Sequence, residues 1–249
     1  RIRDLSLPSS SPQILSLAAS PDERFALTGY EDGTMTLWDL QSGRRVQSFG
    51  NRSGAVSAVV FITNTCAAAG DVSGTVTVWN LVTGRSIADL TTLTTTTSLT
   101  TTTVCNRLDK PILDLQVMPG GEQIVSASAD GTIFRWSLTD GCTAMTERVF
   151  SDDELSGTVD IAISPDGAKL ALAYQTDITA RLTMTGGQGT KTSEQKSDRI
   201  PIEISGKILQ LVYSVDSTEL HILDDAGSIY ELRIGQGRVP NPDKKHTAS

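Results

Sequence analysis

With 249 residues, 38% of them hydrophobic and 20% charged, and a net charge of −8, the chain is long enough for one large all-β core or two smaller ones. Its acidic balance is a poor electrostatic match for a phosphate backbone, so direct nucleic-acid binding is not expected. No apolar run approaches the roughly 18–20 residues that cross a bilayer, and no signal peptide is visible, although opening on Arg1 gives that second absence little weight.

A first unit occupies about residues 14–50. An apolar strand, ILSLAAS, turns at Ser20-Pro21-Asp22 and leads into RFALTGYEDGTMTLWDL. There Asp32-Gly33 separates two β-prone runs, a strong short-range hairpin signal. A turn at Ser42-Gly43 and a short strand, RRVQSF, complete four strands. The pattern returns at about 54–90, through CAAAGDVSGTVTVWNL and Thr83-Gly84, and at about 111–150, through PILDLQVMPGGEQIVSASADGTIFRWSL. A fourth unit, about 157–200, starts clearly but loses the glycine turn and the tryptophan in its second half, and a fifth runs about 206–234. Trp38 and Trp79 stand 41 residues apart, and Trp136 follows 57 later, which implies an insertion of 16 residues between units. Self-similarity at such a period is the signature of a repeat architecture.

These residues resemble the WD-repeat family. Trp38-Asp39 follows Asp32-Gly33-Thr34, Trp79-Asn80 follows Ser73-Gly74-Thr75, and Trp136-Ser137 follows Asp130-Gly131-Thr132. The turns Ser42-Gly43, Thr83-Gly84 and Asp140-Gly141 sit where the family places its third turn. The resemblance implies an all-β propeller with five recognisable four-stranded blades over residues 14–234. Propellers of this family commonly have seven, so the five point to part of a larger ring. It also implies blade-core roles for Thr28, Asp32 and Trp38, for Trp79, and for Ser126, Asp130 and Trp136, each Ser/Thr–Asp–Trp set forming a partial buried network. The family's Gly-His pair is missing: the two histidines, His221 and His246, lie elsewhere.

Outside the units, residues 1–13 read as an N-terminal strand or linker, with Ile2–Leu7 a candidate outer strand. The tract 91–103 is almost all threonine and reads as a mobile loop. Residues 186–198 read as a second polar loop, and 235–249 as a flexible tail.

No enzymatic constellation stands out. His221 lies on an alternating strand and is expected half-buried, and no nucleophile has a histidine in reach. Cys66, Cys105 and Cys142 show no metal-ligand spacing, and an odd, sparse set fits a reducing compartment better than a disulfide framework. The expectation is a non-catalytic scaffold, intracellular in the cytoplasm or nucleus, without cofactor or metal, that binds other protein subunits. Tyr30, Arg52 and Arg107 fall in turns that, by the resemblance, lie on the narrower propeller face, and are candidate anchors. The alternative is a sensor propeller of a larger protein bearing an NTPase or other enzyme upstream. A propeller hydrolase or oxidoreductase would need clustered histidines that the chain lacks.

Overall fold

Runs that alternate apolar and polar residues between Gly- and Asp-bearing turns become strands, because the alternation places one set of side chains on each sheet face. The computed structural model describes residues 12–50, 54–89, 92–97, 100–105, 110–139, 143–150, 158–176, 179–186, 204–205, 207–234 and 243–247, and among them there is no helix. Sheet one comprises β1 (Ile14–Ala19), β2 (Phe25–Tyr30), β3 (Thr34–Asp39) and β4 (Arg44–Gly50). Sheet two comprises β5 (Val56–Phe61), β6 (Cys66–Asp71), β7 (Val76–Asn80) and β8 (Arg85–Asp89). A separate hairpin pairs β9 (Thr92–Thr97) with β10 (Thr100–Cys105). Sheet three comprises β11 (Ile112–Val117), β12 (Gln123–Ser128), β13 (Ile133–Thr139) and β14 (Thr143–Phe150). Sheet four comprises β15 (Thr158–Ile163), β16 (Lys169–Thr176), β17 (Thr179–Gly186) and β18 (Ile204–Ser205). Sheet five comprises β19 (Ile208–Tyr213), β20 (Glu219–Asp224), β21 (Ser228–Arg233) and β22 (Asp243–Thr247). Each four-stranded sheet keeps its strands in chain order, the pattern of consecutive hairpins.

The hairpin between second and third strands has one design in four sheets. Gly33, Gly74 and Gly227 donate their N–H to the carbonyls of Tyr30, Asp71 and Asp224 at 3.1–3.2 Å. These glycines and Gly131 hold φ between 75° and 83°. That is a type I turn closed by a residue in the left-handed region, where only glycine escapes a Cβ penalty. In sheet four the glycine is gone, and Thr176 pairs directly with Thr179 across a shorter connection.

All five first strands also share a β-bulge at one register position. The ladder skips a residue between Ile14 and Ser16, Val56 and Ala58, Ile112 and Asp114, Thr158 and Asp160, and Ile208 and Gln210. The residues left outside the ladder are Leu15, Ser57, Leu113, Val159 and Leu209. A bulge recurring at one place bends each first strand in the same sense and re-aims one side chain.

The chain forms two compact units, residues 1–128 with 134–148, and 129–133 with 149–249. In the first, Leu27, Met35, Leu37 and Phe49 of sheet one pack on Val56, Val59, Phe61 and Trp79 of sheet two. The opposite face of sheet two, with Ala58, Ala68, Val76 and Val78, packs on Ile112, Leu115, Ile124, Phe134 and Trp136 of sheet three. In the second unit, Ala162, Ala171 and Ala173 of sheet four receive Ile208, Leu211 and Tyr213 of sheet five. Burial between sheets, not within one, supplies the core, as expected of repeats too thin to bury their own faces.

Small residues set how closely these sheets approach. A Cβ built on Gly29 would lie 2.5 Å from Val56 Cγ1 and against the Ser16 hydroxyl. One built on Gly70 would collide with Ile112. Ala173 shares a core cluster with Ile208 at the matching junction of the second unit. At Gly29 and Gly70 the fifth residue of the second strand is thus a seat for the β-branched residue that opens the next sheet. Hydrogen bonds reinforce the fit: the Ser16 hydroxyl donates to the Val56 carbonyl at 3.1 Å, and the Asp22 amide donates to Asn64 Oδ1 at 3.2 Å. In the second unit the Asp166 amide donates to the Ser217 hydroxyl at 3.1 Å.

Four sequence expectations are revised. The threonine tract is not a loop, since β9 and β10 pair from Thr92↔Cys105 to Thr97↔Thr100. β-Branched side chains favour the extended backbone whatever the complexity of the sequence. Sheet five takes its outer strand from within the expected tail, as β22. The outer strand of sheet four is Ile204–Ser205, past the expected boundary at 200. Cys66 is disulfide-bonded, whereas sparse cysteines suggest none; sequence spacing says nothing of which residues the sheets bring together. Ile2–Leu7 and residues 187–198 lie outside the described residues.

Candidate interaction surface

Each sheet has two ends with different chemistry. At one end, the turn between second and third strands is tied to the residue that precedes the first strand. The amides of Glu31, Val72 and Asp225 donate to the carbonyls of Gln13, Ala55 and Lys207 at 2.8–3.0 Å. The bulge lies beside this tie, so bulge and turn form a backbone-fixed rim on every such sheet. Leu15, Val72 and Leu209 are exposed there. Two acidic residues inside these turns are buried and saturated. Asp71 accepts the Ser73 and Thr75 amides and the Ser73 hydroxyl. Asp224 accepts the Ala226 and Ser228 amides and the Tyr230 hydroxyl.

The opposite end carries a repeated Ser-x-Asp turn, at Ser20/Asp22, Ser164/Asp166 and Ser214/Asp216. In each, the serine hydroxyl donates to the aspartate and accepts the amide of the residue that opens the second strand. The hydroxyl, then a following backbone amide, holds Asp22 and Asp166 below the usual carboxylate range. For Asp216 the Ser214 and Thr218 hydroxyls bring the value down to about 2. Carboxylates so satisfied stay ionised at neutral pH and make poor general acids. Asp39 does the same work in the third turn, accepting the Ser42 amide and hydroxyl, and Asn80 accepts the Val82 and Thr83 amides. The residue after each of these tryptophans is a turn cap.

The expected core residues divide. Trp38 Nε1 donates to the Thr28 hydroxyl at 2.9 Å and Trp136 Nε1 to the Ser126 hydroxyl at 3.0 Å, both buried. Asp32 and Asp130 are not part of either pair. Each accepts an amide within its own turn, from Thr34 and Thr132 at 2.9 Å. Trp79 packs edge-on against Phe49, centroids 5.8 Å apart, but its Nε1 is buried without a partner. Ala69 stands where sheets one and three carry Thr28 and Ser126, so no hydroxyl is there to accept it. Tyr30 is not an exposed turn residue: it ends β2 and is 4% exposed. Arg52 and Arg107 lie outside the described residues. His221 is half-buried in β20, between Val212 and Glu231. The bulge residues carry almost no signal of their own in the sequence. A bulge is a property of register, and only the recurrence of an aliphatic second residue in the first strands hints at it.

Among the described residues no group of three or more His, Cys, Asp or Glu is placed to hold a metal ion. No helix in them is long and apolar enough to cross a membrane.

A family model described as the WD domain, G-beta repeat, matches residues 3–39 and 98–137. Those two stretches are WD repeats, and the four-stranded sheets fit a WD-repeat propeller. The fold is similar to that of the β-propeller domain of Cps50 (Swd1) from Myceliophteria thermophila. That likeness has a TM-score of 0.68 at 15% identity and covers 94% of this chain and 71% of that one. A 51-residue stretch is 39% identical to the U3 snoRNP-associated protein-like YAOH of Oryza sativa subsp. japonica. It spans 20% of this chain and 10% of that protein. WD-repeat propellers typically serve as interaction scaffolds, and nothing among the described residues shows catalysis.

Proposed function

We propose that this WD-repeat chain is a non-catalytic platform that joins other protein subunits in a multi-subunit assembly. One observation carries the reading: a bulge at one register position in every four-stranded sheet, beside a turn that sheets one, two and five tie to the backbone, with Leu15 and Val72 exposed there in the first unit and Leu209 in the second. Aliphatic groups fixed by backbone geometry lose little entropy on binding, and rigid scaffolds with functional loops suit recognition. Arg52 and Arg107 remain candidate anchors from the sequence; Tyr30, being buried, does not.

The rice relative's name associates that protein with a small nucleolar ribonucleoprotein, which supports placing this chain in a nuclear ribonucleoprotein assembly. With a net charge of −8, its contacts there are with protein and not with the phosphate backbone. The test is affinity purification with mass spectrometry of tagged wild type and of a Leu15→Asp/Val72→Asp variant matched for thermal midpoint, with Arg52→Ala/Arg107→Ala in parallel. A defined protein set that the first variant loses supports the platform reading. A chain that purifies alone, or only within a polypeptide bearing an enzyme, sinks it.

A further inference from the structure

We propose that the outer strands of sheets one and two together form a docking strip for an extended segment of a partner protein in which acidic and aliphatic residues alternate. In β4 the ladder against β3 skips Val46, and in β8 the ladder against β7 skips Ile87, each next to the residue opposite a tryptophan, Trp38 or Trp79. A bulged residue is left outside the pairing and its side chain is re-aimed. Val46 is 52% exposed and Ile87 38% exposed. Arginine precedes both, Arg44 and Arg45 in one strand and Arg85 in the other, and all three are exposed. Each outer strand thus offers two rows in the same order: guanidinium nearest the third turn, then an aliphatic group. The two halves adjoin. Sheets one and two share a core within the first compact unit, and Gly84, next to Arg85, lies so close to β4 that a Cβ on it would meet Gln47 Nε2.

Charge and bulge specify the occupant. Residues 40–50 and 81–88 hold these three arginines and no carboxylate, in a chain whose net charge is −8. Arg24 pairs with Asp39 at 3.7 Å and Arg233 with Glu219 at 3.1 Å. Arg44, Arg45 and Arg85 have no carboxylate within ion-pair distance among the described residues. Asp39, across the ladder from Arg44, is held instead by Ser42 and Arg24. Unpaired guanidiniums present a fork that matches carboxylate oxygens. The bulges interrupt both outer edges, so addition of a strand by backbone pairing is disfavoured and side chains supply the recognition. An extended chain sends alternate side chains to opposite sides. Laid across the two outer strands, it sets carboxylates on the arginine row and aliphatic groups on Val46 and Ile87. Packed sheets stand about 10 Å apart and an extended chain rises about 3.3 Å per residue, so about six to eight residues cover both strands. The proposal rests on the platform reading only in that the segment belongs to another protein. That reading is tested at Leu15 and Val72, at the other end of the sheets, so the two fail separately.

Fluorescence anisotropy on the full chain tests this with three labelled probes of about eight units each, the length set above. One is a peptide alternating glutamate with valine or leucine, the second replaces its aliphatic residues by serine, and the third is oligouridylate. The first peptide should bind about tenfold or more tighter than the second. Arg44→Ala/Arg45→Ala/Arg85→Ala and, separately, Val46→Ser/Ile87→Ser should each weaken it about tenfold with an unchanged thermal midpoint, and the arginine variant alone should lose the salt dependence. No binding of the first peptide overturns the proposal, as does equal binding of the two peptides or affinity that either variant retains. Tighter binding of oligouridylate gives the strip to a nucleic acid and overturns it. Self-association of the free chain that grows with concentration and vanishes in the arginine variant gives the strip to a second copy and also overturns it.

Discussion

Sheets one and two are built to the same plan and differ where it is least visible. Both hold a buried tryptophan at the same place on the third strand, but Trp38 has the Thr28 hydroxyl while Trp79 faces Ala69 and keeps its N–H unpaired. Trp79 nonetheless lies in the same packed layer, edge-on to Phe49. The tryptophan's position is therefore set by packing between sheets, and the hydrogen bond is an addition to it. The steric seats, Gly29 and Gly70, are the stricter requirement.

That ordering can be broken experimentally. Gly70→Ala drives a Cβ into Ile112, and overpacking of this kind costs about 2–3 kcal/mol. Chemical denaturation reads it, and Ile112→Ala, which removes the Cγ2 and Cγ1 that the new Cβ meets, should combine with Gly70→Ala at less than the sum of the two losses, since residues in contact are coupled. Thr28→Ala leaves the Trp38 N–H buried and unpaired and costs about 1–2 kcal/mol, visible in the same measurement and as a change in tryptophan fluorescence. The reverse change sharpens the comparison: Ala69→Ser gives Trp79 the acceptor its sheet lacks and adds about 1 kcal/mol. If Ala69→Ser destabilises, the layer around Trp79 is too tight for even one oxygen.

The smallest effect belongs to the exposed turns. Asp216 titrates at about 2 in the fold against a usual 3.8. Its folded value is depressed, so its contribution is complete above the unfolded value and is lost as pH falls from about 4 to about 2. Ser214→Ala removes the largest cause, and carbon-detected NMR titration should show the Asp216 carboxylate moving up toward 3.8.

Much of the fold is legible in the sequence because turns and strand periodicity are local. Gly33, Gly74, Gly131 and Gly227 announce their hairpins, and the repeat unit follows. What misleads are properties that depend on a neighbouring sheet or on register. Tyr30 looks like turn chemistry beside Glu31-Asp32-Gly33, yet it ends a strand and is buried. Asp32 and Asp130 sit close in sequence to the Trp38 and Trp136 pairs but satisfy their own turns first, because an aspartate reaches an amide two residues on at little entropic cost. The outer strand of sheet five escapes a sequence reading because DKKHT has no apolar alternation; an outermost strand needs only one good edge. The five bulges are hidden for a related reason: a skipped residue leaves no mark in composition.

The glycine seat has a consequence for how such a chain can change over generations. The pairs Gly29 with Val56 and Gly70 with Ile112 are each shared between neighbouring repeats, so neither repeat owns its own fit. When a repeat is copied or lost, two halves of different pairs are brought together, and only a descendant whose small and branched residues still meet can close the gap. Inheritance in this chain therefore acts on borders rather than on modules.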